Sequence, residues 1–106
     1  RVESESSEKI RARVSLARVR QLERFRGKKL YANAQMGTKE VKAFCAIGEE
    51  GRSLLEAAVT RLGLSARAYD RVLKVGRTIA DLAGEESISP AHISEAIQYR
   101  MMDRYY

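Results

Sequence analysis

The sequence predicts an all-α fold, a small bundle of about five helices. Apolar residues recur every three or four positions over most of the 106 residues, and no stretch alternates apolar and polar residues convincingly, as a half-buried strand would. Serines precede several of these periodic segments and glycines follow them, which is typical of helix starts and stops. A chain of this length is expected to form one domain with a modest core.

The first two helices are the more weakly delimited ones. The first is predicted to begin after the capping pair Ser6-Ser7 and to end near Gly27. Its apolar residues at helical spacing are Ile10, Val14, Ala17, Leu22 and Phe25. A loop over residues 28–37 follows. A short second helix is then predicted from a cap at Thr38, with Val41, Phe44 and Cys45 on one side, and Gly48 ends it.

The last three helices have clearer boundaries. The third is predicted from about Glu49 to Leu62, and Gly63 follows it as a residue free to adopt a positive φ. Its inward residues are expected to be Leu54, Leu55, Ala58 and Leu62. The fourth helix is predicted from about Ala66 to Ala83, between a Ser65 cap and Gly84. Ser89-Pro90 starts the fifth, because proline is favoured at the first helical position; its apolar residues are Ile93, Ala96, Ile97 and Met101.

The net charge of +6 lies entirely in the first 31 residues. They hold ten Lys or Arg against four Asp or Glu, whereas residues 32–106 hold ten of each, so a basic partner surface is expected near the N-terminus. A single cysteine, Cys45, cannot form an internal disulfide, which favours a reducing, cytoplasmic setting. The longest apolar run, residues 43–47, is too short to cross a membrane, so no membrane partner is expected. Because Arg1 stands where an initiator methionine is usual, we expect a piece of a larger protein.

The fourth helix carries the candidate site. At about 100° per residue, the residues expected on its core stripe are Tyr69, Val72, Leu73, Gly76, Ile79, Ala80 and Ala83. Nearly opposite lie Arg67, Arg71, Lys74 and Thr78. Arg67 falls in the first turn, where the helix dipole is already positive and a cation costs about 0.3–1 kcal/mol unless an anion is bound. A phosphate would suit its guanidinium, but the residues alone slightly favour a weak surface ion pair of Asp70 with Arg67 and Lys74.

Several segments resemble the C-terminal domain of the magnesium-chelatase-like AAA+ ATPases and, within them, the YifB-type competence proteins. These segments are GLSARAYDR at 63–71, RTIADL at 77–82 and IQYR at 97–100, with ESS at 5–7, IRARV at 10–14 and NAQM at 33–36 upstream. The resemblance implies that residues 32–106 are a C-terminal helical lid. Residues 1–31 would be a basic connecting helix and the start of a linker from an ATPase core. Gly76 departs from the alanine expected there, which predicts looser packing.

The resemblance also implies a role for Arg67 as the sensor 2 arginine, which contacts the γ-phosphate of ATP. Arg71 and Lys74, on the same side of the helix, are expected to support the phosphate contact or an interface. Residues 46–53, AIGEEGRS, are similar only to the end of a P-loop, since alanine replaces the first glycine and Arg52 the lysine. The chain alone is therefore expected to be inactive, with ATP and Mg²⁺ bound by the full-length protein. We expect no metal site, because His92 has no second histidine or cysteine nearby and should be solvated.

The use of the basic first helix stays open. Its arginines spread around most of the circumference: Arg11, Arg13, Arg18, Arg20, Arg24 and Arg26. A solvated connecting helix is favoured over contact with DNA phosphates, and a subunit interface is a third use. The resemblance implies a hexamer, with the ATPase core and neighbouring subunits as partners, that acts on DNA during natural transformation. The alternative function is a stand-alone basic helical module that binds DNA.

Overall fold

A computed structural model describes the backbone of residues 5–103 and the side chains of residues 5–100. This part of the chain forms five α-helices: α1 (Ser7–Arg24), α2 (Thr38–Phe44), α3 (Glu49–Leu62), α4 (Ala66–Ala83) and α5 (Pro90–Asp103). A single 3₁₀ turn, Asn33–Gln35, lies between α1 and α2. The described residues form no strand beyond one isolated parallel bridge between Ile47 and Ile88. The predicted all-α fold is confirmed.

The helix ends follow the local signals at most positions. The Ser6 hydroxyl accepts a hydrogen bond from the Lys9 amide at 3.2 Å, and the Ser65 hydroxyl accepts one from the Ala68 amide at 3.1 Å. Gly63 ends α3 in the left-handed region, with φ +65°, which a glycine adopts at no steric cost. These caps fix the bounds of α3 and α4 at the predicted residues.

Two boundaries differ from prediction. Helix α1 ends at Arg24 rather than near Gly27, because Phe25 leaves the helical conformation and its side chain is buried in the core. Helix α2 is capped by Gly37, not Thr38, and the Gly37 amide donates to Glu40 Oε1 at 2.8 Å.

Helix α4 lies at the centre of the bundle and packs against α1, α2, α5 and the 3₁₀ turn. Among the most deeply buried apolar side chains are Phe25, which follows α1, Leu55 of α3, Val72 and Ala80 of α4, and Ile93 of α5. Phe25 and Phe44 meet edge to face, with ring centroids 5.7 Å apart, a favourable arrangement for aromatic quadrupoles. One hydrophobic core therefore joins α2, α3, α4 and α5 with Phe25, the residue that follows α1.

The buried face of α4 is turned relative to the predicted stripe. Ala68, Arg77 and Asp81 are buried, whereas Tyr69 and Ile79 are only half-buried and Ala83 is exposed. The reason is that α1 and the 3₁₀ turn cover the side of α4 that holds Asp81. In α3 the prediction for Leu54 is wrong, since this residue is exposed while Leu55 and Ala58 are buried. The side chain of Met101 lies outside the described residues.

Gly76 is buried and closely surrounded by side chains, so the prediction of looser packing is wrong. A Cβ atom there would lie 3.2 Å from Ile93 Cδ1 and 3.4 Å from Ile88 Cγ2. The missing side chain lets the two helices sit close together.

Candidate functional site: a cationic groove along α4

Arg67 is an exposed side chain in the first turn of α4. The amides of a first helical turn have no partners inside the helix, and here the Ser65 hydroxyl accepts only that of Ala68. No ion pair or hydrogen bond joins the Arg67 side chain to another described residue, and Asp70 pairs with neither Arg67 nor Lys74. The surface ion pair considered above is therefore absent from the described residues.

The other members of the polar stripe of α4 are partly used inside the domain. Lys74 Nζ donates to the carbonyl oxygens of Ala34 and Met36, at 3.4 and 3.2 Å, and so fastens the 3₁₀ turn to α4. The Thr78 hydroxyl donates to the Lys74 carbonyl at 3.0 Å and accepts from Asn33 Nδ2 at the same distance. Arg71 is exposed, like Arg67. The N-terminal half of the stripe is thus the half that faces outward.

All four stripe residues line one groove of about 1030 Å³ that opens between α1, α4 and α5. Its apolar wall is contributed by Ile10 and Val14 of α1, Val75, Ile79 and Leu82 of α4, and Tyr99 of α5. Arg13 and Glu95 also line it. The groove combines aliphatic surface with guanidinium groups, a combination that suits an anionic ligand or partner with an apolar part.

Beneath this groove Asp81 forms the centre of a buried polar network that the sequence analysis missed. Its carboxylate accepts two hydrogen bonds from Arg24, at 2.7 and 2.8 Å, and one from Asn33 Nδ2 at 2.9 Å. Arg77 Nε lies 3.3 Å from the same carboxylate. Arg20 Nη1 donates to the Asp81 carbonyl oxygen at 3.2 Å. Helix α1, the 3₁₀ turn and α4 are therefore joined at one residue.

The electrostatics of this network keep Asp81 ionised. Burial alone would raise the pKa of the Asp81 carboxyl, but the hydrogen bonds from Arg24 and Asn33 and the nearby cations hold that pKa below its usual value. Arg77 extends the network to the turn before α5, donating to the carbonyl oxygens of Glu86 and Glu85 at 2.7 and 2.9 Å. One part of this network could have been predicted from the sequence, because Arg77 and Asp81 are four positions apart and such charges pair across one helical turn.

The arginines of the first helix do not form one surface. Arg13 pairs with Glu5, while Arg20 and Arg24 bind Asp81. Arg11 and Arg18 are exposed and have no partner among the described residues. The same holds for Arg26, which lies beyond the end of α1, so three of the arginines considered for DNA or subunit contact have guanidiniums that are not engaged within the described part of the domain.

His92 is buried, with 8% of its surface exposed, so the prediction of a solvated histidine is wrong. Its Nδ1 accepts from the Ser89 amide at 2.9 Å, and its own amide donates to the Ser89 hydroxyl at 3.3 Å. This reciprocal pair caps α5. Cys45 is buried as predicted, and burial raises the pKa of its thiol to about 11.

The described part of the chain lacks two further kinds of feature, a metal-binding cluster and a membrane-spanning helix. No group of three or more His, Cys, Asp or Glu side chains comes together there in an arrangement that could hold a metal ion. None of the helices in that part is both long enough and apolar enough to span a bilayer.

The fold and groove define a small helical domain with outward-facing cations on its central helix, and comparison with known proteins gives its class. The chain belongs to the family described as magnesium chelatase, subunit ChlI C-terminal, which matches residues 4–100. The resemblance inferred from the sequence is confirmed.

Two relatives show the similarity to individual proteins. Competence protein ComM of Haemophilus influenzae is 45% identical over 100 residues, which is 94% of this chain and 19% of that protein. The uncharacterized protein YifB of Escherichia coli is 43% identical over 103 residues, 97% of this chain and 20% of that protein. No solved structure matches significantly. The chain thus spans about a fifth of the length of these relatives.

Proposed function

We propose that this domain is the helical lid of a magnesium-chelatase-like AAA+ ATPase and that Arg67 is its sensor 2 arginine. The observation that carries the proposal is the position of Arg67: exposed, in the first turn of α4, and without a partner among the described residues. Membership of the magnesium chelatase C-terminal family supports it.

The residues present fit a nucleotide phosphate. A guanidinium can donate two parallel hydrogen bonds to phosphate oxygens, and a helix N-terminus adds amide donors and a positive potential. Arg67 would bind the γ-phosphate, and Arg71, on the same side of α4, would add positive charge beside it. ATP, with its Mg²⁺, would be held by a nucleotide-binding core in the longer polypeptide and would supply the phosphoryl group. The chain's own contribution is to sense that group, in cis or across a subunit boundary.

The Asp81 network gives this sensing a mechanical route. Arg67 lies near the start of the 18-residue helix α4, and Asp81 lies near its end, where Arg24 ties α4 to α1. A continuous helix moves as a unit over this length, so a displacement of Arg67 on phosphate binding or release would be transmitted to α1. The proposal is thus that phosphate contact at one end of α4 reorients the connecting helix at the other.

Replacing Arg67 with alanine in the full-length gene product tests the proposal. We expect kcat for ATP hydrolysis to fall about 100- to 1,000-fold, since one donor to a developing phosphate charge is lost. Arg67→Lys should recover only part of the rate, because an ammonium cannot reproduce the bidentate contact. Arg61→Ala removes an exposed arginine from α3 and is the matched control. Circular dichroism should show both alanine variants folded, since neither side chain is buried.

An ATP turnover of Arg67→Ala equal to that of the control would contradict the sensor 2 role.

We also propose that the longer polypeptide assembles as a hexamer and works on DNA. The alternative is a stand-alone DNA-binding module, favoured by Arg11 and Arg18, which are exposed and have no partner among the described residues. A DNA titration of the 106-residue chain separates the two. A steep salt dependence that disappears on replacing Arg11, Arg13 and Arg18 with alanine would support the alternative.

A further inference from the structure

The loop that follows α1 is strongly basic. Residues 24–31, RFRGKKLY, contain four cations and no carboxylate. Three of the cations, Arg26, Lys28 and Lys29, are exposed, and no ion pair among the described residues involves them. Lys28 Nζ lies 6.0 Å from the centroid of the Phe44 ring, a contact that leaves its charge in place. This loop therefore presents three positive charges to its surroundings.

Neighbouring carboxylates do not cancel this charge. Residues 23–48 hold six cations and two carboxylates, a net charge of +4. One of the carboxylates, Glu23, is exposed at the end of α1, and the other, Glu40, caps α2. The buried Asp81 is the partner of Arg24, which leaves a charge of +3 for the surface that residues 23–48 form. A local charge of this sign and size selects an anionic partner.

Tyr31 stands at the end of this loop with 67% of its surface exposed, the highest value among the exposed large hydrophobic residues of the described part. Its backbone is nevertheless fixed. The Tyr31 and Ala32 amides donate to Gln35 Oε1, at 2.7 and 3.1 Å. The preceding Leu30 packs against the hydrophobic core. The loop thus presents an uncovered aromatic ring on an anchored stretch of chain, next to the three exposed cations.

A single-stranded nucleic acid satisfies both features. Its unpaired bases can stack on a tyrosine ring, and its phosphates can neutralise the cations beside it. A duplex offers phosphates, but its bases are already stacked on one another. An acidic protein surface would need apolar neighbours around the ring, because the centre of a protein interface buries several apolar side chains. Tyr31 has no such neighbours within the loop, since Phe25 is buried and Leu30 is half-buried.

We propose that the Tyr31 loop, defined by Arg26, Lys28, Lys29 and Tyr31, is a contact site for a single strand of DNA. Tyr31 stacks on a base, and the three cations lie against neighbouring phosphates. The inference rests on one part of the proposed function, that the longer polypeptide works on DNA, and it adds the strand state and the residues. It does not depend on the sensor 2 role, and it uses none of the α1 residues on which the DNA-binding alternative relies.

Fluorescence anisotropy of a labelled oligo(dT) strand of about 15 nucleotides, titrated with the 106-residue chain, tests the stacking contact. Tyr31→Ala should weaken binding about tenfold, since one base loses its stacking partner. Tyr31→Phe should keep most of the affinity, because stacking uses the ring and not the hydroxyl group. Tyr99→Ala removes another exposed tyrosine, from α5, and is the matched control that should bind like wild type. Circular dichroism should show the Tyr31 variants folded, because that side chain is exposed.

The salt dependence of the same titration tests the phosphate contacts. Replacing both lysines of the loop (K28Q with K29Q) should lower the slope of log affinity against log salt concentration by about 1.4, since each neutralised phosphate of a single strand contributes about 0.7. Removing two exposed cations of α3 instead (R52Q with R61Q) is the charge-matched control and should leave the slope unchanged.

Several results would overturn the inference. One is no binding of oligo(dT), or equal affinity of wild type and Tyr31→Ala. Another is a duplex bound as tightly as oligo(dT), because stacking on unpaired bases would then play no part. Tighter binding of oligo(U) than of oligo(dT) would make RNA the partner. A dimer of the chain that dissociates on replacing Tyr31 with alanine would identify a second copy as the partner.

The full-length gene product separates a failure of this inference from a failure of the proposed function. If the full-length protein binds neither single-stranded nor duplex DNA, the proposed work on DNA fails as a whole. If it binds DNA while Tyr31→Ala leaves the affinity of the 106-residue chain for oligo(dT) unchanged, only the Tyr31 loop is refuted.

Discussion

Replacing Asp81 with alanine removes the carboxylate around which Arg24, Arg77 and Asn33 are arranged. The Asp81 side chain is fully buried, and only 13% and 7% of the Arg24 and Arg77 side chains are exposed. The substitution leaves two guanidiniums largely shielded from water without a counter-charge. Breaking a buried pair in this way costs about 3–5 kcal/mol, a large share of the roughly 5–15 kcal/mol that stabilises a domain of this kind.

Urea unfolding followed by circular dichroism measures this loss. With an m-value of about 1.5 kcal/mol/M, the midpoint for D81A should fall by about 2–3 M urea. Asp70→Ala is the matched control, because Asp70 is on the same helix but its side chain has no hydrogen bond or ion pair among the described residues. Its effect should stay within about 0.5 kcal/mol. Arg24→Ala should lie between the two, since Asn33 and Arg77 still engage Asp81.

A loss below about 1 kcal/mol for D81A, or one no larger than that of the Asp70 control, would refute this reasoning. It would mean that water reaches the two arginines and solvates them when the carboxylate is removed.

Three more predictions concern pH, thiol reactivity and the core. The pKa of the Asp81 carboxyl is depressed in the folded state, so the stabilisation that this carboxylate provides is complete above its unfolded pKa of about 3.9 and is lost as the pH falls through the folded pKa. The difference in unfolding free energy between wild type and D81A should therefore narrow below about pH 4. A constant difference between pH 5 and pH 2 would contradict this prediction. With a thiol pKa of about 11, about one part in a thousand of Cys45 should be thiolate at pH 8. The folded protein in buffer should therefore react with a disulfide reagent far more slowly than the protein unfolded in urea. Equal rates would show that the thiol is accessible in the folded protein. Leu73→Ala should lower the free energy of unfolding, measured in urea, by about 2–5 kcal/mol. The same change at the exposed Leu54 should lower it clearly less. Equal losses would place Leu73 outside the core.

The elements of the fold were predictable where their signals are local. Gly63, Ser65 and Gly84 act through their own backbone or hydroxyl groups, so the bounds of α3 and α4 can be read from the residues themselves. Helix α1 was harder to delimit, because its end depends on Phe25 turning into a core that other helices build.

The site was predictable only in part. Helical periodicity brings Arg67, Arg71, Lys74 and Thr78 to one side of α4, and the structure lines a single groove with all four. Periodicity could not show that Asp81 would be buried, because its partners Arg24 and Asn33 lie 57 and 48 positions away in the chain. A charged residue next to a predicted core stripe could equally have stayed in water.

Arg77 has a consequence for how the domain can bend. Its guanidinium holds two successive carbonyl oxygens of the turn that joins α4 to α5, and the two helices touch closely at Gly76. Motion of α4 relative to α5 is therefore restricted at the turn that joins them, and the two helices form one rigid unit. Any swing of this domain against neighbouring parts of the polypeptide has to take place at a pivot outside the hairpin.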